Sequence, residues 1–277
     1  MVDLSLLDLP QLLSMDFFRY ALIGGAISAV SCSWVGLYLV LRKQAMIGDG
    51  IAHTAFGGIA LGLLLGVNPI LTALVVSIAG TVGLSYMTKK GMARSDSGIA
   101  VVMAIGFSMG LIIIGLAEGF DVDLFDYLFG SILTIGLTDL ITVSVLGVIV
   151  LLFMTLFRKE LLVMTFDEVG AKLSGIPVAT LSLAFNILVA VTIVLSIKVI
   201  GVVLVVALIV LPALSALQFR LSFRMTSVLT VIFGVTSTLL GTIISAVYDL
   251  ATSGVIVFTA AAIFVFCTVY RRLGRNG

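Results

Sequence analysis

The sequence predicts an all-α polytopic membrane protein. Hydrophobic residues make up 61% of the 277 residues and charged residues only 10%, and the mean hydropathy is +1.32. Soluble domains carry roughly 25% charged residues, so a chain this poor in charge could not cover a soluble surface. The apolar residues also fall into runs approaching the roughly 20 residues that a membrane helix requires.

Nine apolar runs are candidate spans, which predicts about eight or nine transmembrane helices. The runs are Phe17–Leu41, Ile47–Gly66, Ile70–Met87, Ile99–Ala117, Leu140–Phe157, Ala179–Ile197, Val199–Gln218, Ser227–Tyr248 and Val255–Tyr270. Only residues 196–198 separate the sixth run from the seventh, which predicts a tight turn there. Residues 121–136 predict an interfacial or half-inserted helix. Pro212 predicts a kink in the seventh run, because proline removes a helix hydrogen bond.

The basic residues predict the orientation of the chain. Short cytoplasmic loops accumulate Lys and Arg, whereas external loops do not. Thirteen of the 15 basic residues follow the first, third, fifth, seventh and ninth runs, and the exceptions are Arg19 and Lys198. We therefore expect an external amino terminus and a cytoplasmic carboxyl terminus. Residues 1–16 alternate acids with leucines, which predicts an amphipathic segment on the outer surface, and residues 17–277 are expected to form one membrane domain.

Charge, cysteine content and missing motifs exclude several classes of function. The net charge of +1 lacks the surplus of Lys and Arg expected of a nucleic-acid-binding protein. Cys32 and Cys267 lie in apolar runs near opposite ends of the chain and indicate no disulfide framework. The sequence contains no Gly-x4-Gly-Lys-Ser/Thr motif, so any ATP hydrolysis must come from a partner chain. We expect a transporter subunit rather than an enzyme.

Asp49 and His53 are the candidate metal ligands. Ionisable side chains inside a membrane are costly and by default face a pathway or a partner. Residues four positions apart project from one face of a helix, and carboxylate and imidazole together suit Zn(II), Mn(II) or Fe(II). A symmetric dimer would supply two such pairs around its axis. The spacing alone is equally compatible with a proton relay or with a hydrogen-bonded packing pair.

A segment at about residues 158–178 forms the longest loop on the basic side. Thr165 is placed to cap a short helix there, with Asp167 and Glu168 in the first turn, where negative charge is favourable. Gly175 suits the end of this helix and Pro177 follows it. Small residues, among them Gly170 and Ala171, would lie on one side. The pattern fits either a docking element for a partner or an ordinary surface helix.

Four stretches that together span nearly the whole chain resemble the permease subunit of the zinc/manganese/iron ABC importers. They are the first span from Asp16 to Arg42, the Asp-x-x-x-His stretch Gly48–Ala60, the segment Glu168–Pro177, and the glycine-to-proline stretch Lys198–Ala213. The resemblance implies a type II-like ABC importer permease that moves Zn2+ or Mn2+, with Fe2+ as a further candidate, by alternating access, and that holds no covalently bound cofactor.

The resemblance also implies roles for particular residues and partners. Asp49 and His53 become the metal ligands of the transport path. The coupling helix that docks on the ATPase would include the residues Asp167, Glu168, Gly170, Ala171 and Gly175, and Gly201 and Pro212 would serve gating. The implied partners are a second copy of the permease, two ATP-binding subunits on the cytoplasmic side, an extracytoplasmic metal-binding protein and the surrounding lipid. The implied location is the plasma membrane of a prokaryote.

Two other functions compete with this interpretation. A permease for chelated iron, haem or cobalamin would favour a wide path with few polar groups, and the Asp-x-x-x-His pair argues against it. A proton-coupled secondary carrier would need no ATPase, and such folds often show repeated halves. The sequence shows no convincing repeat, and the capped cytoplasmic helix would have no role in a carrier.

Overall fold

A computed structural model describes residues 14–92, 95–116, 127–130, 135–202, 205–248 and 250–273. Its helices are α1 (Asp16–Leu41), α2 (Ala45–Leu65), α3 (Pro69–Lys89), α4 (Ser95–Leu116), α5 (Leu137–Leu156), α6 (Arg158–Phe166), α7 (Glu168–Leu173), α8 (Val178–Ile200), α9 (Val205–Leu217), α10 (Phe223–Tyr248) and α11 (Thr252–Leu273). No strand occurs within these ranges.

Within the described ranges, eight helices are long and apolar enough to cross a membrane, namely α1 to α5, α8, α10 and α11. The fold is therefore that of an all-α polytopic membrane protein, as the sequence predicts. The ninth predicted span, Val199–Gln218, is represented by the shorter helix α9, which has 13 residues. Pro212 lies buried inside this helix and has no backbone N–H to donate to the preceding turn.

The membrane helices divide into a buried core and an outer layer. The most apolar stretch of α2 is 72% buried, and those of α1 and α8 are also mostly buried, whereas those of α3, α4 and α5 are each only 22% buried. α2 is rich in glycine and alanine, and small residues allow membrane helices to approach closely. α2 packs mainly between α3 and α4, which places the Asp49–His53 segment next to these two helices.

The predicted turn at residues 196–198 is wrong. α8 continues to Ile200 and ends at Gly201, whose φ of 84° is unfavourable for residues with a side chain. A Cβ on Gly201 would lie 2.7 Å from the backbone nitrogen of Gly130, and the N–H of Val202 donates to the carbonyl of Tyr127 at 3.0 Å. The helix therefore ends where it meets a non-neighbouring segment of the chain.

Several sequence predictions fall wholly or partly outside the described residues. For the amphipathic segment 1–16, residues 1–13 are not described. For the interfacial segment 121–136, only residues 127–130 and 135–136 are described, and residues 127–129 are helical. The division at residue 16 between an external segment and the membrane domain stays a prediction.

Candidate metal pair and coupling segment

Asp49 and His53 lie one turn apart on α2, on a face that the described chain leaves partly open. The Asp49 Oδ1 and His53 Nε2 atoms are 3.7 Å apart, and the two side chains are 36% and 29% exposed. Met46, one turn earlier on the same face, is also exposed. The periodicity of α2 therefore brings the two predicted ligands together, on the open side of an otherwise buried helix.

The two side chains are not satisfied by their surroundings. Neither forms a hydrogen bond with any described residue, and 3.7 Å is longer than a normal hydrogen bond between their polar atoms. The edge of the His53 ring meets the Phe107 ring of α4, with the ring centroids 5.1 Å apart. This contact packs the imidazole against α4, and the Asp49 and His53 side chains do not form a hydrogen-bonded pair.

Close contact between α2 and α4 fixes the position of the pair. A Cβ added to Gly106 of α4 would lie 2.5 Å from the Cα of Thr54 on α2. Thr54 itself lies next to His53, and its hydroxyl donates to the carbonyl of Gly50 at 2.7 Å. The hydroxyl is thus satisfied within its own helix. The absence of a side chain at Gly106 allows Phe107 to reach the imidazole.

One described chain provides only two of the ligands that a metal site requires. No group of three or more His, Cys, Asp or Glu side chains that could hold a metal occurs among the described residues. Protein zinc sites commonly use three or four ligands, so the Asp49–His53 pair is half of such a set. A second pair would have to come from another chain.

A short helix, α7, is present in the segment predicted to contain one, but its cap differs from the prediction. Asp167 caps α7, and its Oδ1 atom accepts a hydrogen bond from the N–H of Gly170 at 2.8 Å. Thr165 is not the cap, because it belongs to the preceding helix α6 and its hydroxyl donates to the carbonyl of Leu161. Glu168 pairs with Lys172 at 2.7 Å. Gly175 follows the helix with a φ of 80°, as a helix-terminating glycine does.

Two apolar residues of α7 are exposed in the structure but are not among the residues predicted from the sequence. Ala171 is fully buried, whereas Leu173 is 85% exposed and Val169 is also exposed. Val169 and Leu173 are four residues apart, so they lie on one face of the helix. The four-residue spacing can be read from the sequence, but the adjacent small residues favoured Gly170 and Ala171 as the predicted contact residues.

Arg42 links the turn before α2 to the region of the coupling segment. Its Nη2 atom donates to the Ser182 hydroxyl of α8 at 2.9 Å, and its guanidinium lies 5.5 Å from the centre of the Phe185 ring. Burial lowers the pKa of Arg42 below its ordinary value, and the negative charge of Glu168 opposes this shift. A cavity of about 480 Å³ lies beside these contacts and is lined by residues of α3, α7 and α8 and by Gln44.

The eight long apolar helices of the described residues define a multi-span membrane protein. The chain belongs to the ABC 3 transport family, whose model matches residues 14–271. It is a transporter permease subunit and not a catalytic enzyme.

The chain is similar to permeases whose names refer to different metals. It is 30% identical to the manganese transport system membrane protein MntC of Halalkalibacterium halodurans, over 92% of this chain and 87% of MntC. It is 31% identical to the high-affinity zinc uptake system membrane protein ZnuB of Haemophilus influenzae, over 88% of this chain and 94% of ZnuB. It is also 31% identical to the chelated iron transport system membrane protein YfeD of Yersinia pestis, over 93% of this chain and 86% of YfeD.

A solved structure shares the fold over almost the whole chain. PsaBC from Streptococcus pneumoniae in complex with a Fab superposes with a TM-score of 0.85 at 30% identity, covering 95% of this chain and 97% of that chain. The fold is therefore that of an ABC permease.

Proposed function

We propose that this chain is the membrane permease of an importer that carries a divalent transition metal, Zn2+ or Mn2+ with Fe2+ as a further candidate, into the cytoplasm. The observation that carries this proposal is the Asp49–His53 pair, which is partly exposed and has no hydrogen-bond partner among the described residues. A carboxylate and an imidazole are suitable ligands for all three ions. The names of MntC and ZnuB support the same class of cargo.

The permease works as a homodimer in this proposal. Each copy contributes one aspartate and one histidine, so that two copies related by a two-fold axis supply four ligands. Such a site holds the ion briefly and releases it when the surrounding helices move. A site completed between chains also explains why the pair lies on an open face of α2.

Separate chains provide energy and deliver the metal. Two ATP-binding subunits dock on the coupling segment from the cytoplasm, and an extracytoplasmic metal-binding protein supplies the ion. The distribution of basic residues supports an external amino terminus and a cytoplasmic carboxyl terminus in the plasma membrane. The exposed Val169 and Leu173 side chains support α7 as the docking element, because an apolar contact between subunits buries such groups.

Transport of a metal chelate is the second candidate, and the name of YfeD favours it. A chelate keeps its own ligands around the metal and does not require coordination by Asp49 and His53. Free-ion transport does require coordination. The two candidates therefore differ in how they respond to removal of the pair.

The test is uptake of Mn2+ and Zn2+ into vesicles that contain the permease with its ATPase and metal-binding protein. We expect Asp49→Asn and His53→Ala each to reduce uptake by more than about tenfold, since even outer partners of metal ligands contribute roughly 10–100-fold. Asp96→Asn is the matched control, because Asp96 is an exposed acid in the first turn of α4. Normal uptake by both variants, with normal ATPase association, would contradict the proposal.

A further inference from the structure

At one end of the helix bundle, the residue after α9 and the last turns of α11 line a cationic cavity that the proposed transport function does not use. The cavity measures about 260 Å³ and is lined by Gln218, Thr268, Arg271 and Arg272. It lies between the end of α9 and the last turn of α11. No acidic residue lines it among the described residues.

The two arginines are positioned to bind an anion. Arg271 is half-buried, and its Nη1 atom donates to the Gln218 Oε1 atom at 2.8 Å. This bond holds the guanidinium in place and leaves its other N–H groups free to donate. Arg272 forms no hydrogen bond or ion pair with any described residue. Guanidinium groups present several donors in a fixed plane that matches the oxygens of a phosphate group.

The carboxyl-terminal part of the chain carries almost only positive charge. Residues 199–277 contain five arginines, no lysine and a single acid, Asp249, which lies between α10 and α11. Arg220 lies between α9 and α10, Arg224 lies in the first turn of α10, and Arg271 and Arg272 lie in the last turn of α11. An anion at the cavity therefore meets only positive charge from the side chains that line it.

Aromatic side chains place the cavity at the height of the lipid headgroups. Tyr270 directly precedes Arg271, is 62% exposed, and lies 6.4 Å from Phe219 between ring centres. Phe266 stacks on Tyr270 and is exposed on the outer surface of α11. Tyrosine is enriched at the boundary between hydrocarbon and water. Acyl chains would lie along Phe266 while the phosphate reaches the arginines.

We propose that this cavity binds the headgroup of an anionic phospholipid, such as phosphatidylglycerol, from the cytoplasmic leaflet. Basic pockets between membrane helices on the cytoplasmic side bind anionic headgroups in this way. The bound lipid joins α9, which carries Pro212, to α11. The proposal goes beyond the transport function, and binding can be measured with no metal present.

Native mass spectrometry of the permease–ATPase assembly tests the proposal. The assembly is equilibrated in micelles that contain equal amounts of phosphatidylglycerol and phosphatidylcholine with identical acyl chains. We expect wild type to retain phosphatidylglycerol preferentially and Arg271→Gln/Arg272→Gln to reduce this preference by about 25-fold, since each arginine near an anionic surface contributes roughly fivefold. Glutamine is neutral and polar, so the substitutions remove the positive charge without placing an apolar side chain in the cavity.

The matched control is Arg220→Gln/Arg224→Gln, which removes two charges from the same end of the bundle but none from the cavity lining. We expect it to change the preference by less than about threefold. Arg271→Lys/Arg272→Lys keeps the charge and should give an intermediate preference, because lysine cannot bind phosphate through two parallel bonds.

Three results would overturn the proposal. The first is an unchanged preference in Arg271→Gln/Arg272→Gln, and the second is an equal loss in the control pair. The third is loss of the ATPase subunit from the Arg271→Gln/Arg272→Gln assembly with lipid retention intact, which would assign the arginines to a protein contact. Addition of inorganic phosphate distinguishes the two sources of the anion, because displacement of the lipid by millimolar phosphate would indicate a site for free phosphate.

Discussion

A single methyl group tests how tightly α2 is held against α4 beside the metal pair. Gly106→Ala would place a Cβ 2.5 Å from the Cα of Thr54, a backbone atom that cannot rotate away. We expect a loss of about 1–3 kcal/mol of stability, the usual cost of overpacking, together with reduced metal uptake. Thermal unfolding of the purified assembly, followed by size-exclusion chromatography, measures the first effect.

Gly115→Ala provides the control for this change on the same helix. No atom lies within 4 Å of a Cβ at Gly115, so the added methyl group meets open space. We expect wild-type stability or a slight gain, because alanine favours helix more than glycine does. Equal melting temperatures for the Gly106 and Gly115 variants would contradict the close contact of α2 and α4.

At the scale of single residues, the sequence predicted the pair but not its surroundings. The four-residue spacing of Asp49 and His53 determines that they share a face once α2 is helical. Contact of His53 with Phe107 depends on packing against α4, 54 residues later in the chain, and no local pattern encodes it. Thr165 was a wrong cap for a related reason: both Thr165 and Asp167 can cap a helix, and the extent of α6 decided between them.

At the scale of an element, the six-residue helix α7 has one apolar residue buried in the chain and another exposed on its surface. Ala171 is buried against its own chain, whereas Leu173 is 85% exposed. We expect Leu173→Glu to leave the melting temperature of the permease nearly unchanged and to abolish co-purification of the ATPase. The physical reason is that a charge is acceptable in water but costly in a dry apolar contact.

Ala171→Glu serves as the contrasting variant, because it places the same charge at a buried position of the same helix. We expect this variant to lose stability and ATPase association together. Retention of the ATPase by Leu173→Glu, at wild-type stoichiometry, would show that α7 docks through other residues. The comparison separates a docking defect from a folding defect.

The sequence predicted the boundaries of most helices. The exception is the break between α8 and α9. Apolar runs predicted the eight long helices to within about four residues at each end, because a membrane requires each span to satisfy its own backbone. The break after α8 was misplaced because Ser196 was read as a turn residue. The Ser196 hydroxyl instead donates to the carbonyl of Thr192 and lies 3.0 Å from the Cys32 Sγ atom, so its polarity is satisfied inside the bundle.

At the scale of the whole molecule, the fold leaves one face of a largely buried helix open. α2 is enclosed by α3, α4, α8 and α9, yet the face with Asp49 and His53 stays accessible. An isolated chain would gain little from ionisable groups there, because such groups are costly in a membrane. In the proposed homodimer, a second copy would complete the site and the bound metal would offset the charge of both carboxylates.

A metal site shared between two copies predicts how much uptake a mixed dimer loses. A dimer with one wild-type copy and one copy carrying Asp49→Asn/His53→Ala retains only two of the four ligands. If both copies contribute to one site, we expect metal uptake to fall to less than about one tenth of wild type. If each copy had its own path, uptake would fall only to half.

Mixed dimers can be isolated by expressing two copies with different affinity tags and purifying on both tags in succession. This route suits the proposed topology, in which the termini lie on opposite sides of the membrane and cannot be joined by a short linker. Wild-type copies carrying the two tags give the reference activity, and a mixed dimer with Asp96→Asn controls for the loss of an acidic group elsewhere. Half-maximal uptake by the Asp49→Asn/His53→Ala mixed dimer would contradict a shared site, because two of four ligands cannot hold the ion as tightly as four.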